Sequence, residues 1–307
     1  IYGAGFTSDT SRIQVSIGSE NVRIDSSGMN WISCKAPEIL PGGHSLSVTV
    51  DDVQMNWVEY YTIIPNPLGA GTFGIEQSIA VHNSRHISTG DIDHDGDKDL
   101  ILASPLDDSI LWYKNLDGVG SFGMPQIITE MADLVFDIST SDLDGDGDLD
   151  VVSASSNDDK IAWYENIDGV GTFGPQQIIS TSADGAHAVH SVDLDGDGDI
   201  DVLSASWNDN KVVWYENIDG AGNFGPEQII TLNANGAAEV YSADLDGDGD
   251  IDVVSASVYD DKIAWYENLN GLGKFGSQQI ISTSADAAYD VHCADIDSDG
   301  DMDVISA

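Results

Sequence analysis

A repeat of 51 residues restricts the fold of this chain more than any other feature. It is marked by Trp-Tyr pairs that begin at Trp112, Trp163, Trp214 and Trp265, each 51 residues after the one before. Phe-Gly pairs and Asp-rich segments recur between these pairs in a fixed order. Because three kinds of marker keep one order and spacing, the sequence predicts successive copies of a single structural unit.

Each unit is predicted to contain four short β-strands. In the third unit, runs of β-branched, aromatic and other apolar residues lie at 188–192, 202–205, 211–217 and 228–231, separated by Gly, Asn and Asp. Such an alternation is typical of strands joined by tight turns. Since no stretch shows a sustained 3.6-residue period, we expect few helices.

The third strand predicts how the units pack. Ile161-Ala162-Trp163-Tyr164 is apolar on both faces, as expected for a sheet stacked between neighbouring sheets. Four-stranded antiparallel units that repeat radially form a β-propeller. A linear solenoid is the alternative, although solenoids usually repeat at about 20–45 residues. We therefore predict an all-β chain whose repeats form a partial β-propeller of four-stranded antiparallel blades.

The Asp-rich segments are candidate metal loops, numbered here one to five, each with aspartates at positions one, three, five, seven and nine and glycine at position six. The aspartates are Asp91, Asp93, Asp95, Asp97 and Asp99; Asp142, Asp144, Asp146, Asp148 and Asp150; Asp193, Asp195, Asp197, Asp199 and Asp201; Asp244, Asp246, Asp248, Asp250 and Asp252; and Asp295, Asp297, Asp299, Asp301 and Asp303. Crowded carboxylates repel one another unless a cation lies between them. Ca²⁺ takes about six to eight oxygen ligands from alternate positions of such loops. We predict about five Ca²⁺ sites, with side-chain ligands from positions one, three, five and nine and a backbone carbonyl from position seven.

Other interpretations of these loops are a solvated acidic turn and a Mg²⁺ site. Asp-Gly is common in hairpins, but near-identical copies at one spacing favour a metal site, and Mg²⁺ tends to keep its waters. An EF-hand is excluded because it needs Glu at position twelve, where loop two has Ser153.

Asp-Leu-Asp-Gly-Asp-Gly-Asp, Trp-Tyr-Glu-Asn and the Phe-Gly turn together resemble the FG-GAP/VCBS repeat family over about residues 70–307. The resemblance implies a propeller on the integrin α-subunit plan, often seven-bladed, with calcium between the first two strands of a blade. It also implies a secreted or cell-surface protein that acts in adhesion and recognition.

The first 64 residues follow another pattern. Alternating runs at 13–17 and 46–50 predict half-buried strands. With Gly3-Ala4-Gly5-Phe6 and the segment 32–37, they resemble an IPT/TIG immunoglobulin-like domain, a small β-sandwich whose first strand would precede Ile1. We predict domains at 1–64 and 70–307, joined by a linker at 65–69.

The repeat array is expected to be an open arc. Residues 73–80 resemble a fourth strand without earlier partners in its blade, and the fifth unit stops after its second strand, at 302–307. We therefore expect the native protein to supply further blades.

The charge of the chain restricts its partners. It has 54 acidic against 10 basic residues, a formal net charge of -44 at pH 7. This charge argues against nucleic acid and anionic membranes as partners. No apolar run reaches the length of about 18 residues that a spanning helix needs, so membrane insertion is not expected.

A ligand-binding surface is predicted at the end of the blades opposite the Asp loops. In a four-stranded meander, the first and third turns lie at one end, and the second turn and the link between blades lie at the other. The Asp loops and Asp-Gly-x-Gly turns thus share the nearly invariant end. Variable positions at the other end include Asp137, His187, Glu239 and Asp290, and the residues chosen as candidate ligand contacts are Arg85, His86, Phe136, Trp207, Tyr259 and Tyr289. Drift in unconstrained loops is the competing explanation.

No sequence motif for catalysis is found. The chain lacks a Gly-x-Ser-x-Gly elbow, a zinc-type His/Cys cluster and a phosphate-binding glycine loop. We predict a non-catalytic, extracellular, calcium-binding module that recognises carbohydrate or protein ligands. The alternative is an accessory region of a secreted polysaccharide-degrading enzyme whose catalytic domain lies outside this chain.

Overall fold

The computed structural model describes residues 84–307 without a gap and, before them, Ile79 and eight short strands. The chain divides into two compact units, Ile1–Asn83 and Ser84–Ala307. No helix occurs among the described residues, in agreement with the predicted all-β class.

The first unit contains short antiparallel strands. They are β1 (Ile13–Ile17), β2 (Glu20–Val22), β3 (Ile24–Ser27), β4 (Ile32–Cys34), β5 (Leu46–Val50), β6 (Val53–Asn56), β7 (Thr62–Ile63) and β8 (Gln77–Ser78). A four-stranded sheet has the order β2-β1-β5-β6, and the two alternating runs of the sequence are its central neighbours, with Val15 opposite Val48. β3 pairs with β4, and β7 pairs with β8.

The sequence predicts a strand at residues 73–80 that has no earlier partners in its blade. In the structure, Gln77–Ser78 within this segment pairs with Thr62–Ile63 of the first unit. The Gly3-Ala4-Gly5-Phe6 motif and the linker at 65–69 lie outside the described residues.

The second unit consists of eighteen strands. They are β9 (His86–Gly90), β10 (Asp99–Ser104), β11 (Ser109–Tyr113), β12 (Gln126–Thr129), β13 (Val135–Ser141), β14 (Asp150–Ser155), β15 (Lys160–Tyr164), β16 (Gln177–Ser180), β17 (Ala186–Val192), β18 (Asp201–Ser206), β19 (Lys211–Tyr215), β20 (Gln228–Thr231), β21 (Ala237–Ala243), β22 (Asp252–Ser257), β23 (Lys262–Tyr266), β24 (Gln279–Ser282), β25 (Val291–Ala294) and β26 (Asp303–Ser306). Each run of four from β9 to β24 forms an antiparallel meander sheet, and β25 and β26 form a pair. The predicted blades are thus confirmed.

Apolar cores lie between consecutive sheets. Between the first two sheets of the second unit, Ile101 and Trp112 pack in one buried cluster with Ile138 and Tyr164. Burial on both faces of the second and third strands explains why, after the first residues Asp150 and Lys160, β14 and β15 contain only apolar, aromatic or small side chains. The first strands of successive sheets lie side by side, as the inner strands of a propeller do.

The Asp-Gly-x-Gly turn packs against the preceding sheet. Gly171 has φ +88°, and a Cβ there would overlap the ring of Trp112, 59 residues earlier. Gly222 has φ +73° and faces Trp163 in the same way. Only glycine combines this backbone conformation with so close an approach, which explains why these turns vary so little among the repeats.

Candidate functional site

The five Asp loops bring carboxylates together. Loops one to four join the first and second strands of their sheets, and loop five joins β25 to β26. In every loop, three carboxylates offer oxygens that all lie within 4.8 Å of one another. The three come from positions one, three and five in loops two to five, and from positions one, three and nine in loop one. The structure therefore brings together most of the side chains that the sequence predicts as ligands.

Backbone amides hold each loop in shape. In loop two, Asp142 accepts hydrogen bonds from the amides of Gly145 at 2.8 Å and Gly147 at 3.0 Å, and Asp146 accepts one from Asp148 at 2.9 Å. Gly147 has φ +96°, a conformation that favours glycine. The loop curls around its own carboxylates, so their positions are set by the backbone.

The position-nine aspartate joins the loop to the sheet. Asp150 is 1% exposed and accepts hydrogen bonds from the backbone amides of Leu143 at 2.9 Å and Asn166 at 2.8 Å. Burial raises the pKa of Asp150 to about 7, and the charges of Asp144 and Asp146 add to the effect although the two amides oppose it. Position nine is thus a structural anchor of the loop. Its predicted role as a ligand stays a prediction, like that of the position-seven carbonyl.

The position-seven side chain faces the third turn of its own sheet. A Cβ on Gly169 would overlap the carboxylate of Asp148, and Gly220 stands in the same relation to Asp199. The Asp loops and the Asp-Gly-x-Gly turns therefore share one end of the sheets, as the meander argument predicts.

The chemistry of loops two to four fits a hard divalent cation. Every clustered ligand atom is a carboxylate oxygen. Burial and, after it, neighbouring carboxylates raise the pKa values of Asp144 and Asp195, which means that the ionised forms of these side chains are disfavoured. No lysine or arginine within residues 84–307 pairs with Asp144 or Asp195. Ca²⁺ would supply the missing positive charge and accept such oxygens.

Loop one differs from the others. Lys114 forms an ion pair with Asp93, and its Nζ lies 3.0 Å from Oδ2 of Asp95. The hydrogen bond from Lys114 lowers the pKa of Asp95. Sequence reasoning missed this residue, although its signal was visible: Glu165 stands 51 positions later.

The candidate ligand residues form a continuous cluster at the other end of the sheets. The guanidinium of Arg85 lies 4.0 Å from the ring centroid of Phe136, and the Trp207 ring lies 5.2 Å from Tyr259 and 5.7 Å from Tyr289. Trp207 Nε1 also donates a hydrogen bond to the Tyr259 hydroxyl at 3.0 Å. Trp207, Tyr259 and Tyr289 come from three different sheets, so the cluster depends on how the sheets stack.

His187 connects the two halves of this cluster. Its ring lies 4.9 Å from Phe136 and 4.9 Å from Trp207, and its side chain bonds to Arg85 and to the carbonyl of Ala238. We call Phe136, His187, Trp207, Tyr259 and Tyr289 the aromatic row. Its tyrosines are the most accessible members, with Tyr259 63% and Tyr289 50% exposed.

Charged groups lie beside the aromatic row. His86 Nδ1 is 2.8 Å from Asp137 Oδ1, and the other oxygen of Asp137 accepts the amide of Val189. Burial lowers the pKa of His86, but Asp137 and Asp290 outweigh it, so the pKa is raised. Burial, followed by the charge of Asp137, raises the pKa of Glu239 well above its ordinary value. This end therefore combines exposed aromatic rings with carboxylates and a guanidinium.

Further along the first strands of the sheets, three aromatic rings from successive units lie next to one another in a tilted arrangement. Tyr241 lies 4.7 Å from His190 and 4.3 Å from His292, measured between ring centroids. Burial lowers the pKa of His190 to about 4. Both histidines thus pack against Tyr241.

The described residues contain no helix, and so none that could span a membrane.

Comparison with known families and structures agrees with this architecture. The FG-GAP-like repeat model matches residues 91–153, 142–204, 193–255 and 244–306, and the IPT/TIG domain model matches residues 1–62. No curated protein matches the sequence.

Two solved structures show the same fold. A lectin from Agrocybe aegerita, described as recognising non-reducing terminal N-acetylglucosamine, is 18% identical with a TM-score of 0.60, covering 96% of this chain and 83% of the lectin. An auxiliary nutrient-binding protein from Bacteroides thetaiotaomicron is 11% identical with a TM-score of 0.51, covering 100% of this chain and 76% of that protein. With four overlapping matches across residues 91–306, the chain belongs to the FG-GAP-like repeat family and carries an IPT/TIG domain at its start.

Proposed function

We propose that this chain is a calcium-stabilised, non-catalytic recognition module that binds carbohydrate through the aromatic row. The observation that carries the proposal is the placement of Trp207, Tyr259 and Tyr289, from three successive units, in one ring cluster. Flat rings with one exposed face can pack against the apolar face of a sugar ring, and such packing needs little side-chain ordering.

The charged groups beside the row complete a sugar-binding surface. The exposed side chain of Asp290 can accept hydrogen bonds from sugar hydroxyls, and that of Arg85 can donate them. A few polar groups that converge on an aromatic wall are typical of small-ligand sites. A peptide ligand is the second possibility, because aromatic and arginine side chains also dominate protein interfaces.

Calcium would act on stability in this proposal. Each Asp loop connects two adjacent strands, and loops one to three are hydrogen-bonded to the next sheet. A cation that binds only the folded loops therefore adds to the free energy of unfolding. The aromatic row lies at the other ends of the same sheets, away from the Asp loops. Calcium would therefore support recognition by holding the sheets in register, without contacting the ligand.

The proposed location is outside the cell, secreted or at the cell surface. Extracellular modules bind Ca²⁺ at about 10⁻⁴–10⁻³ M, a range suited to exposed loops such as these. The role as an accessory region of a polysaccharide-degrading enzyme remains the second candidate. A carbohydrate-binding surface would serve such an enzyme as well.

A glycan array probed with the intact chain in calcium tests the proposal. We expect binding to one class of glycans, with competition by the free sugar. An array without signal, together with binding to immobilised protein ligands, would favour the peptide alternative. Signal in neither assay would contradict recognition by this surface.

A further inference from the structure

Lys114 breaks a pattern that the other complete units keep. It precedes the asparagine that ends the Trp-Tyr-x-Asn motif, where the next three units carry Glu165, Glu216 and Glu267. A positive side chain therefore replaces a negative one at a single repeat position. The position lies beside the Asp loop of the same unit, so the exchange changes the charge that a metal would meet.

The ammonium group of Lys114 lies on the loop-one carboxylates. It pairs with Asp93 and lies 3.0 Å from Asp95, the aspartates at positions three and five. Those positions contribute to the carboxylate cluster in loops two to five. In loop one, Asp95 is absent from the close cluster, which includes Asp99 instead. Lys114 is thus paired with two of the carboxylates that would face a cation in the other loops.

The glutamates of the other units act in the opposite direction. Glu165 and Glu216 lie within electrostatic reach of Asp144 and Asp195, the position-three aspartates of loops two and three. A glutamine from the fourth strand donates to Glu216 Oε2 at 3.1 Å, which leaves the other carboxylate oxygen available. These glutamates add negative charge beside the carboxylate cluster.

Formal charge also distinguishes loop one from loop three. Loop one contains five aspartates and Lys98 and faces Lys114, a total of -3, whereas loop three contains five aspartates and faces Glu216, a total of -6. A divalent cation held by Asp93 and Asp95 would also lie close to the Lys114 ammonium group, and like charges at short range repel one another.

We propose that Lys114 closes loop one as an internal cation, so that loop one stays free of calcium at concentrations that fill loops two to four. The inference rests on the proposed function in one respect, namely that the other loops bind calcium. Under this proposal the loops differ in their source of positive charge. Loops two to four depend on metal, whereas loop one carries its own counter-charge in Lys114. Loop one would therefore keep its shape when calcium is removed.

The test counts bound calcium in the whole chain by native mass spectrometry and calorimetric titration. Lys114→Glu should bind one calcium more than the wild type, and Glu216→Lys should bind one fewer. Lys160→Glu makes the same charge change at the opposite end of the sheets, where the lysine pairs with Asp158, and should leave the number unchanged.

A second matched pair keeps the test independent of the folding of those variants. Asp195→Asn and Asp93→Asn make the same change at position three of loops three and one. We expect Asp195→Asn to lose one calcium and Asp93→Asn to lose none. Loss of one calcium in both variants, with no gain in Lys114→Glu, would overturn the inference while leaving calcium binding intact. A wild type that binds no calcium would instead contradict the proposed function, and the inference with it.

Discussion

The side-chain amide of Asn217 donates a hydrogen bond of 2.8 Å to the backbone carbonyl of Leu143, 74 residues earlier. Asn217 ends the Trp-Tyr-Glu-Asn motif of the third unit, and Leu143 is position two of loop two. Asn166 and Asn268 make the equivalent bonds to Ile92 and Leu194. Loops one to three are therefore each hydrogen-bonded to the following unit, and metal bound in these loops would also stabilise the contact between sheets.

Asn217→Ala should destabilise the stack. Asn217 is 1% exposed, and its loss leaves the buried carbonyl of Leu143 and the partly buried carbonyl of Ile200 without this donor. We expect the free energy of unfolding to fall by about 1–3 kcal/mol, measured by urea denaturation. Asn223→Ala removes an exposed bond to Asp219 within one turn and should change it by less than about 0.5 kcal/mol. Equal effects of the two variants would refute the fastening role.

Gly222→Ala should also loosen neighbouring sheets. The new methyl group would overlap the Trp163 ring, and φ at this position is +73°. We expect a loss of about 2–4 kcal/mol, from the backbone conformation and from overpacking together. Gly225→Ala is the control, because its added Cβ would make only ordinary contacts of 3.5 Å and more. If both alanine variants unfold at the same urea concentration, the turn does not pack as described.

Tyr259→Ala and Tyr289→Ala should weaken ligand binding about tenfold each, the effect of losing about 1.4 kcal/mol of stacking. Both side chains are at least half exposed, so the melting temperature should change little. Val119→Ala removes a side chain that is 70% exposed in the turn at the Asp-loop end, and it should leave affinity unchanged. Affinity that falls in Val119→Ala but not in the tyrosine variants would place the ligand at the wrong end for this proposal.

The buried His187 should make stability depend on pH. Burial lowers the pKa of His187 to about 4, whereas an unfolded histidine titrates at about 6.5. Between these values the unfolded chain binds a proton that the folded chain does not, so this residue lowers stability as the pH falls from about 6.5 to 4.

His187→Phe keeps a ring in the aromatic row and removes the titrating group. Between pH 7 and 4.5, the wild type should lose on the order of 2 kcal/mol more than this variant, measured by denaturation in saturating calcium. Parallel pH profiles for the two proteins would show that His187 does not titrate in this way.

Much of the second unit could be predicted from the sequence because its information is local and repeated. The strand predicted at 228–231 is Gln228–Thr231, and the strand predicted at 188–192 lies within Ala186–Val192. The three-carboxylate clusters were predictable for the same reason, since alternate positions of one tight loop must lie close together.

The contacts that cross between units could not be predicted from the period. The bond from Asn217 to Leu143 depends on how two sheets stack, as does the position of His187 between Phe136 and Trp207. Position nine was predicted only as a ligand, because the bond from the Asn166 amide, just after the third strand, to Asp150 requires the folded sheet. The opposite charge of Lys114 was visible in the sequence, but its meaning required its distance from Asp95.

The central claim is that calcium in the Asp loops stabilises the stacked sheets, and thermal unfolding with and without calcium tests it most directly. Excess EGTA should lower the melting temperature of the intact chain by many degrees, because a ligand that binds only the folded state raises its stability in proportion to the logarithm of its concentration. Added calcium should restore the original melting temperature, and magnesium at the same concentration should restore it less. A melting temperature that stays the same in excess EGTA would contradict the account.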